Sequence, residues 1–499
     1  MTDRRLLAAV DLGSNSFRLL IGRIEASRAG EQVRPIDALK ESVRLAAGLR
    51  ADGSLDDASQ RRAIEALRRF GERLRSFSPD TVRAVATNTF RIARNGRRLL
   101  ETAQAALGFP IEVISGYEEA RLIYLGAAHA MAVDGRRRIV VDIGGGSTEC
   151  IIGRDYEPLA LESTAVGCVS LSERFFPNGN VDRQSFTRAC FAARDVIAPI
   201  SLAYRGLGWD YAAGSSGTAK ALWQALQANR GESQITRDGL AWLGEVLVRA
   251  GHADRVKLEG LKAERRPVLA GGLAVMTAVF EELGIESMAY CSGALRQGVL
   301  YDLLGRSHGA DMREVTVARM VQRYGSGAQH GERVARTAVV LFGQAARGPV
   351  EELERRKQLL GWAARLAEIG MSISHQDYHK HSAYILDHGD MPGFSQDEQS
   401  LMARLVLGQT GGLRKLSPLL HGELDWLMAL SLRLATTMHR RRDDDPVIVP
   451  ALFFKRGKLR LEVPAAWARS HPLTDASLRA EAAAWANQGV FEQFDYQLF

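Results

Sequence analysis

Two sixteen-residue stretches of this chain, AAVDLGSNSFRLLIGR at 8–23 and IVVDIGGGSTECIIGR at 139–154, superimpose without a gap. Placing Asp11 on Asp142 (142 − 11 = 131) also places Gly13 on Gly144, Ser16 on Ser147, Gly22 on Gly153 and Arg23 on Arg154. Each stretch is an apolar run ending on an aspartate, then a short polar turn with glycine, then a second apolar run. That pattern predicts a strand–turn–strand hairpin. A device used twice at a fixed offset constrains the fold to a duplicated one.

The segments around the hairpins agree with α/β layering. SQRRAIEALRRFGERLRSF keeps Ile64, Leu67, Gly71 and Leu74 at helical spacing, and DTVRAVATNTFR reads as a strand entering a polar turn at Thr87-Asn88-Thr89. FPIEVISGYEEARLIYLGAAHAM reads as a strand, a Ser-Gly break and a helix. Strands alternating with helices imply α/β layers. Beyond about 305 helical spacing dominates as far as HRRRDDDP at 439–446, and the tail offers a hairpin at 455–458, a helix near 473–487 and a last strand. At 499 residues one core is excluded, and four domains are expected: 1–126, 127–306, 307–443 and 444–499.

The turns have a chemical use. Backbone N–H groups in a glycine turn converge on phosphate oxygens because no Cβ blocks the approach. A carboxylate beside them holds Mg²⁺ directly or through its waters. Two such turns, one from each half, would grip one phosphate from both sides. Neither carries G-x-x-x-x-G-K-[ST] or G-x-G-x-x-G, and the run after the glycines is strand-like, so the phosphate is expected on a β-hairpin instead of a helix N-terminus. The net charge of +7 favours an anionic ligand and is too mild to argue for nucleic acid. Four widely spaced cysteines read as reduced core thiols. No run approaches the ~20 apolar residues of a membrane span, and a cytoplasmic protein is expected.

In ISGYEEARLIYLG, Ser115 is the expected N-cap of a helix, which puts Glu118 at the third helical position of a capping box. Glu119 lies about 100° further round the helix and is left without that local task.

These hairpins resemble the phosphate motifs of the acetate and sugar kinase/heat-shock/actin superfamily. More narrowly, VDLGSNSFRLLIGR, ATNTFR, ISGYEEARLIYLGA, VDIGGGSTE and VGCVSLSERFF are together similar to the exopolyphosphatase/guanosine pentaphosphate phosphohydrolase family, and GSSGT, SGALRQGVLYDLL and YHKHSAYIL extend the match. The resemblance implies a duplicated actin-like (ribonuclease H-like) half, an all-α HD-like domain and a small α+β module. It implies that Glu119 is the catalytic glutamate, acting as general base on the attacking water, with Glu149 as a second catalytic or metal-binding carboxylate. Asp11 and Asp142, with Glu149, are the expected metal ligands. Phosphate contacts are expected from Gly13, Ser14, Asn15, Ser16, Gly144, Gly145, Gly146 and Ser147, and from Thr87, Asn88 and Arg91. Gly214, Ser215, Ser216, Gly217 and Thr218 resemble the place where kinases of the superfamily hold adenosine, and are expected to contact nucleotide or chain phosphates. The implied cofactor is Mg²⁺, with Mn²⁺ as the alternative ion and K⁺ assisting. A homodimer is the implied assembly.

RLAEIG resembles the metal-dependent HD phosphohydrolases with Ala367-Glu368 where the HD pair belongs, so an inactive metal site is expected there despite His375, His379 and His381. Basic residues through that half, among them Arg355, Arg356, Lys357, Arg414, Lys415 and Arg440–442, suggest a track for a polyanion. The leading expectation is an exopolyphosphatase releasing orthophosphate from inorganic polyphosphate. The alternative is hydrolysis of guanosine pentaphosphate to the tetraphosphate. A kinase and a non-catalytic polyphosphate-binding regulator stand further off.

Overall fold

The alternation in the first hairpin runs on into a five-stranded sheet, and the second hairpin repeats it. The computed structural model describes residues 6–27, 30–307, 311–325, 327–442 and 448–499. They fall into two compact units, Met1–Asp311 and Met312–Phe499.

In the first unit, β1 (Leu6–Leu12), β2 (Phe17–Ser27), β3 (Gly30–Glu41), β4 (Val82–Ala86) and β5 (Ile111–Val113) form a sheet of order β3-β2-β1-β4-β5. β6 (Arg137–Ile143), β7 (Thr148–Arg154), β8 (Glu157–Thr164), β9 (Tyr211–Ser215), β10 (Ile235–Thr236) and β11 (Ser287–Tyr290) form a second, of order β10-β11-β9-β6-β7-β8. In both sheets the first three strands are antiparallel and the next two join in parallel. The repeat extends to detail: Leu6 pairs Arg23 as Arg137 pairs Arg154, and the irregularities at Ile21/Gly22 and Ile152/Gly153 also lie 131 apart (152 − 21 = 131). This is a duplicated actin-like fold.

Strand parity sorts the side chains. Ala8, Val10 and Leu12 enter the outer core of the first lobe, and Ile139, Val141 and Ile143 enter that of the second. Leu7, Ala9, Leu20, Val140 and Ile151 enter a middle core between the two sheets. Asp11 and Asp142 share the parity of that middle face, as do Arg18 and Glu149.

Two helices fill the middle core, Gly116–His129 and Leu295–Ser307. The first spans position 126 and packs on β7 and β8; the second packs on β1. Where they cross there is room for hydrogen only: a Cβ on Gly298 would stand 1.7 Å from the Leu122 carbonyl oxygen, and one on Gly126 2.2 Å from that of Ala294. Beside the crossing lies a buried ion network. Glu118 accepts from Arg121 Nε (2.7 Å) and Nη2 (2.9 Å), and Asp302 accepts from Arg121 (2.5 Å) and Arg83 (2.7 Å).

The second unit carries six longer helices between Met312 and Met438, then β12 (Ala451–Lys455), β13 (Lys458–Val463) and β14 (Gln493–Leu498). β12 and β13 make the expected hairpin, and β14 joins β13 in parallel after helix Pro472–Gln488. One hydrophobic cluster runs from Val317 through Leu430 to Trp485 and Phe494, so helices and tail share a core. The expected boundary at 443/444 lies outside the described residues.

Candidate active site

Because Asp11 and Asp142 end equivalent strands on the face between the sheets, both carboxylates project into the same gap. Asp11, Gly13, Ser14, Asn15, Ser16, Thr87, Glu119, Asp142, Gly144, Gly145, Ser147 and Glu149 line one narrow cleft of about 120 Å³. The turns are alike: a Cβ on Gly13 would stand 3.1 Å from the Ser16 carbonyl oxygen, and one on Gly144 3.1 Å from that of Ser147. They also meet, since a Cβ on Gly145 would stand 3.0 Å from Ser14 Cβ. The TNT segment bridges them. Thr89 Oγ1 donates to Ser14 Oγ (2.8 Å), and the Asn88 amide abuts Gly146.

Glu119 enters from the helix that Ser115 caps, where the Glu118 N–H donates to Ser115 Oγ at 3.1 Å. The expected cap is therefore present, but the Glu118 carboxylate is spent on Arg121 and Arg83 in the buried network. Arg91 lies behind Glu119 instead of in the cleft, donating to Glu119 Oε2 (2.9 Å) and the Ile114 carbonyl (2.8 Å). The GSSGT segment supports the second hairpin. Ser215 Oγ donates to Asp142 Oδ2 (2.5 Å), and the Ser216 and Thr218 hydroxyls donate to the Ile143 carbonyl. Of that segment only Ser216 and Gly217 reach the cleft, while Gly214, Ser215 and Thr218 stay behind it. Glu149 accepts from Ser163 Oγ at 2.8 Å.

Four carboxylates so placed resist ionisation. Burial lifts Glu119 to about 7, against the pull of Arg91 and with help from Asp11 and Asp142. Burial lifts Asp11 to about 6 although Arg18 and Arg296 oppose it, and Asp142 and Glu149 are raised as well, chiefly by burial. Such a group is complementary to a cation. Among the described residues no three His, Cys, Asp or Glu side chains are close enough to hold a metal between them. Mg²⁺ fits that donor set, since it is bound through one or two carboxylates and completes its shell with waters and phosphate oxygens.

Arg18, Arg265 and Arg296 also line the cleft. Among the described residues none of the three has a carboxylate within ion-pairing distance. Burial and Arg18 push Arg296 down to about 10, still cationic at neutral pH. Arg18 donates to Ser16 Oγ (3.3 Å), and three guanidiniums with no carboxylate partner among the described residues form a site for an oligoanion. Sequence reasoning missed them as binding groups, although Arg18 falls at the position of Glu149 in the gapless repeat (149 − 18 = 131) and Arg296 lies in SGALRQGVLYDLL.

The model of the Ppx/GppA phosphatase family matches residues 23–307, and that of Ppx/GppA phosphatase, domain III, matches 312–482. The chain belongs to this family. As such it is a hydrolase of phosphoanhydride bonds. A guanosine-5'-triphosphate,3'-diphosphate pyrophosphatase of Aeromonas hydrophila subsp. hydrophila is 38% identical over 488 residues, 96% of this chain and 97% of its own. A protein of the same name from Vibrio vulnificus is 37% identical over 480 residues, 96% and 95% of the two chains. Among solved structures, an exopolyphosphatase from Cytophaga hutchinsonii shares the fold at TM-score 0.53 and 23% identity, covering 60% of this chain and 98% of its own. An exopolyphosphatase-like protein matches at TM-score 0.53 and 25% identity, covering 61% and 99%.

Proposed function

We propose that this family member removes the terminal 5′ phosphate of guanosine pentaphosphate, giving guanosine tetraphosphate and orthophosphate. The observation that carries the reading is the pair of nearly full-length relatives bearing that activity in their names. They favour the alternative over the leading expectation of an exopolyphosphatase. Arrangement of the basic residues of the second unit agrees: Arg355 and Arg356 pair with Glu352, Lys357 with Glu354, and Arg442 with Glu368, leaving fewer free cations for a long polyanion.

In this reading the terminal phosphate sits between the two turns, with backbone N–H groups and the hydroxyls of Ser14, Ser16 and Ser147 on its oxygens. Arg18, Arg265 and Arg296 balance the remaining phosphate charge. Glu119 takes a proton from the attacking water as the water oxygen bonds to phosphorus, and the bond to the bridging oxygen breaks. The electron pair leaves on the penultimate phosphate. One or two of Asp11, Asp142 and Glu149 would hold Mg²⁺ together with waters and phosphate oxygens, and when bound it supplies neutralisation of phosphate charge. Arg91 keeps the Glu119 carboxylate aimed and, by its charge, keeps its proton affinity within reach of neutral pH.

The test is phosphate release from guanosine pentaphosphate and from long polyphosphate by one preparation, with and without a chelator. The expected result is a kcat/KM at least about tenfold higher for the nucleotide, and no turnover of either after chelation. The opposite preference would restore the exopolyphosphatase reading.

A further inference from the structure

The phosphate cleft, at about 120 Å³, is smaller than the roughly 300–1,000 Å³ of small-molecule pockets. Its enclosed part is of a size for phosphate groups. A second cavity of about 320 Å³ lies beside it and shares Asn15 with it. Its apolar lining comes from Ala47, Val169, Phe176, Pro177, Pro267 and Val268.

Both walls hang from the phosphate turns. On one side the Arg44 N–H donates to the Asn15 carbonyl (2.8 Å) and the Ala46 N–H to that of Ser14 (2.9 Å). On the other, the Cys168 N–H donates to the Gly144 carbonyl and the Val169 N–H to that of Gly145, both at 2.9 Å. Arg44 holds a left-handed backbone, φ 50°, which is uncommon outside glycine. Whatever binds in this cavity is therefore held at a fixed distance from the phosphate between the turns.

Two charged side chains of this lining, both solvent-exposed, have no partner among the described residues. Glu173 and Arg44 make no ion pair or side-chain hydrogen bond among the described residues, and they are not within 4 Å of one another. Guanine carries the complement of that pair. Its N1–H and N2 amino group are adjacent donors for one carboxylate, and O6 and N7 are adjacent acceptors for one guanidinium. Adenine offers a donor beside an acceptor on the corresponding edge and cannot satisfy a carboxylate in the same way.

We propose that this cavity is the nucleoside subsite of the enzyme, with the base lying on the Val169–Phe176 wall, Glu173 accepting from its N1 and N2 edge and Arg44 donating to O6 and N7. The inference rests on the guanosine pentaphosphate reading. It assigns Glu173 and Arg44 as specificity residues, and it makes the relay Arg44–Asn15 and Val169–Gly145 the register between base and cleaved phosphate.

The test separates binding from turnover. Calorimetry with guanosine tetraphosphate and its adenosine counterpart is run on the full chain, on Glu173→Gln and on Arg44→Ala, with thermal midpoints as the check on folding. Loss of a charge-assisted hydrogen bond predicts guanosine tetraphosphate binding about tenfold to hundredfold weaker in Glu173→Gln, and preference over the adenosine compound reduced toward unity. Arg44→Ala should weaken it in the same direction. Unchanged affinity and unchanged base preference in both folded variants would overturn the subsite, even with guanosine pentaphosphate turned over normally. Absence of that turnover in the unsubstituted enzyme, with tight tetraphosphate binding still lost in Glu173→Gln, would overturn the proposed function and leave the subsite standing.

Discussion

The two hairpins share a backbone and differ in one charge. Asp11 stands across the ladder from Arg18, and Asp142 stands across from Glu149, at equivalent positions of the same register. Turn geometry, strand irregularity and the parity that turns each aspartate inward are common to both. Duplication therefore supplied a scaffold that presents two cross-strand pairs to one cleft. Divergence then made one pair zwitterionic and the other doubly acidic. The first hairpin thus adds a cation, Arg18, to the cleft, and the second adds a further carboxylate, Glu149.

The strongest way to break this contrast is to remove the carboxylate that both hairpins serve. Glu119→Gln should lower kcat about 10²–10⁴-fold, the usual contribution of a general base. Its pH profile carries a sign. Burial raises Glu119 to about 7, so the reactive carboxylate is scarce below that pH. The rate should climb about tenfold per pH unit on the acid side and level above 7, and Glu119→Gln should lose that limb. Linkage runs the other way for stability. A carboxyl whose affinity for its proton is raised by folding costs stability as pH rises from its unfolded value near 4.5 through 7. Above pH 7, then, the Gln variant should melt no lower than the unsubstituted enzyme. Initial rates and thermal midpoints across pH 5–9 check both halves.

The next contrast is between the hairpins themselves. Arg18→Gln removes a charge-assisted contact to phosphate, a loss of about 1.5–3 kcal/mol, and should appear as a KM raised about tenfold to hundredfold. Glu149→Gln lies on the acidic side and should act on kcat and on the Mg²⁺ concentration needed for half-maximal rate, with a smaller change in KM. Steady-state kinetics at two Mg²⁺ concentrations separate the two patterns. If both variants move KM alone, the hairpins are equivalent in use and the argument from divergence fails.

Much of this was legible in the chain before any coordinates. The gapless offset of 131 gave the duplicated sheets, because period-two alternation leaves no freedom over which face each aspartate takes (142 − 11 = 131). The cap at Ser115 was equally readable, since it depends on four consecutive residues. What escaped were pairings between distant segments. Arg265 and Arg296 gain their meaning only when a helix near 295 returns to the first sheet. Arg91 was read as a phosphate donor from its motif, yet its guanidinium is aimed at Glu119, 28 residues on. No periodicity or turn chemistry encodes such a contact.

Glu118 shows the same limit and supports the smallest expected effect on rate. The capping box gave it a local task worth about 0.5–2 kcal/mol. Its carboxylate is instead fully buried against Arg121 and Arg83, in a network closed by Asp302, 181 residues after Arg121. Burial alone would raise the Asp302 carboxyl, but Arg121, Arg83 and Arg306 hold it well below the usual range, so Asp302 is ionised at neutral pH. Replacing Glu118 with Gln leaves an accepting oxygen and removes a charge, which unbalances two buried arginines. Breaking such a buried pair costs about 3–5 kcal/mol, several times the cost of a lost cap. Glu118→Gln should therefore lower the thermal midpoint markedly while kcat at a permissive temperature stays within about twofold, because the adjacent Glu119 still faces the cleft. Glu118→Gln paired with Arg121→Met should recover part of the loss, since the second change removes the charge left unmatched. A Glu118→Gln enzyme as stable as the unsubstituted one would return Glu118 to the cap and deny the network its part in joining the two central helices.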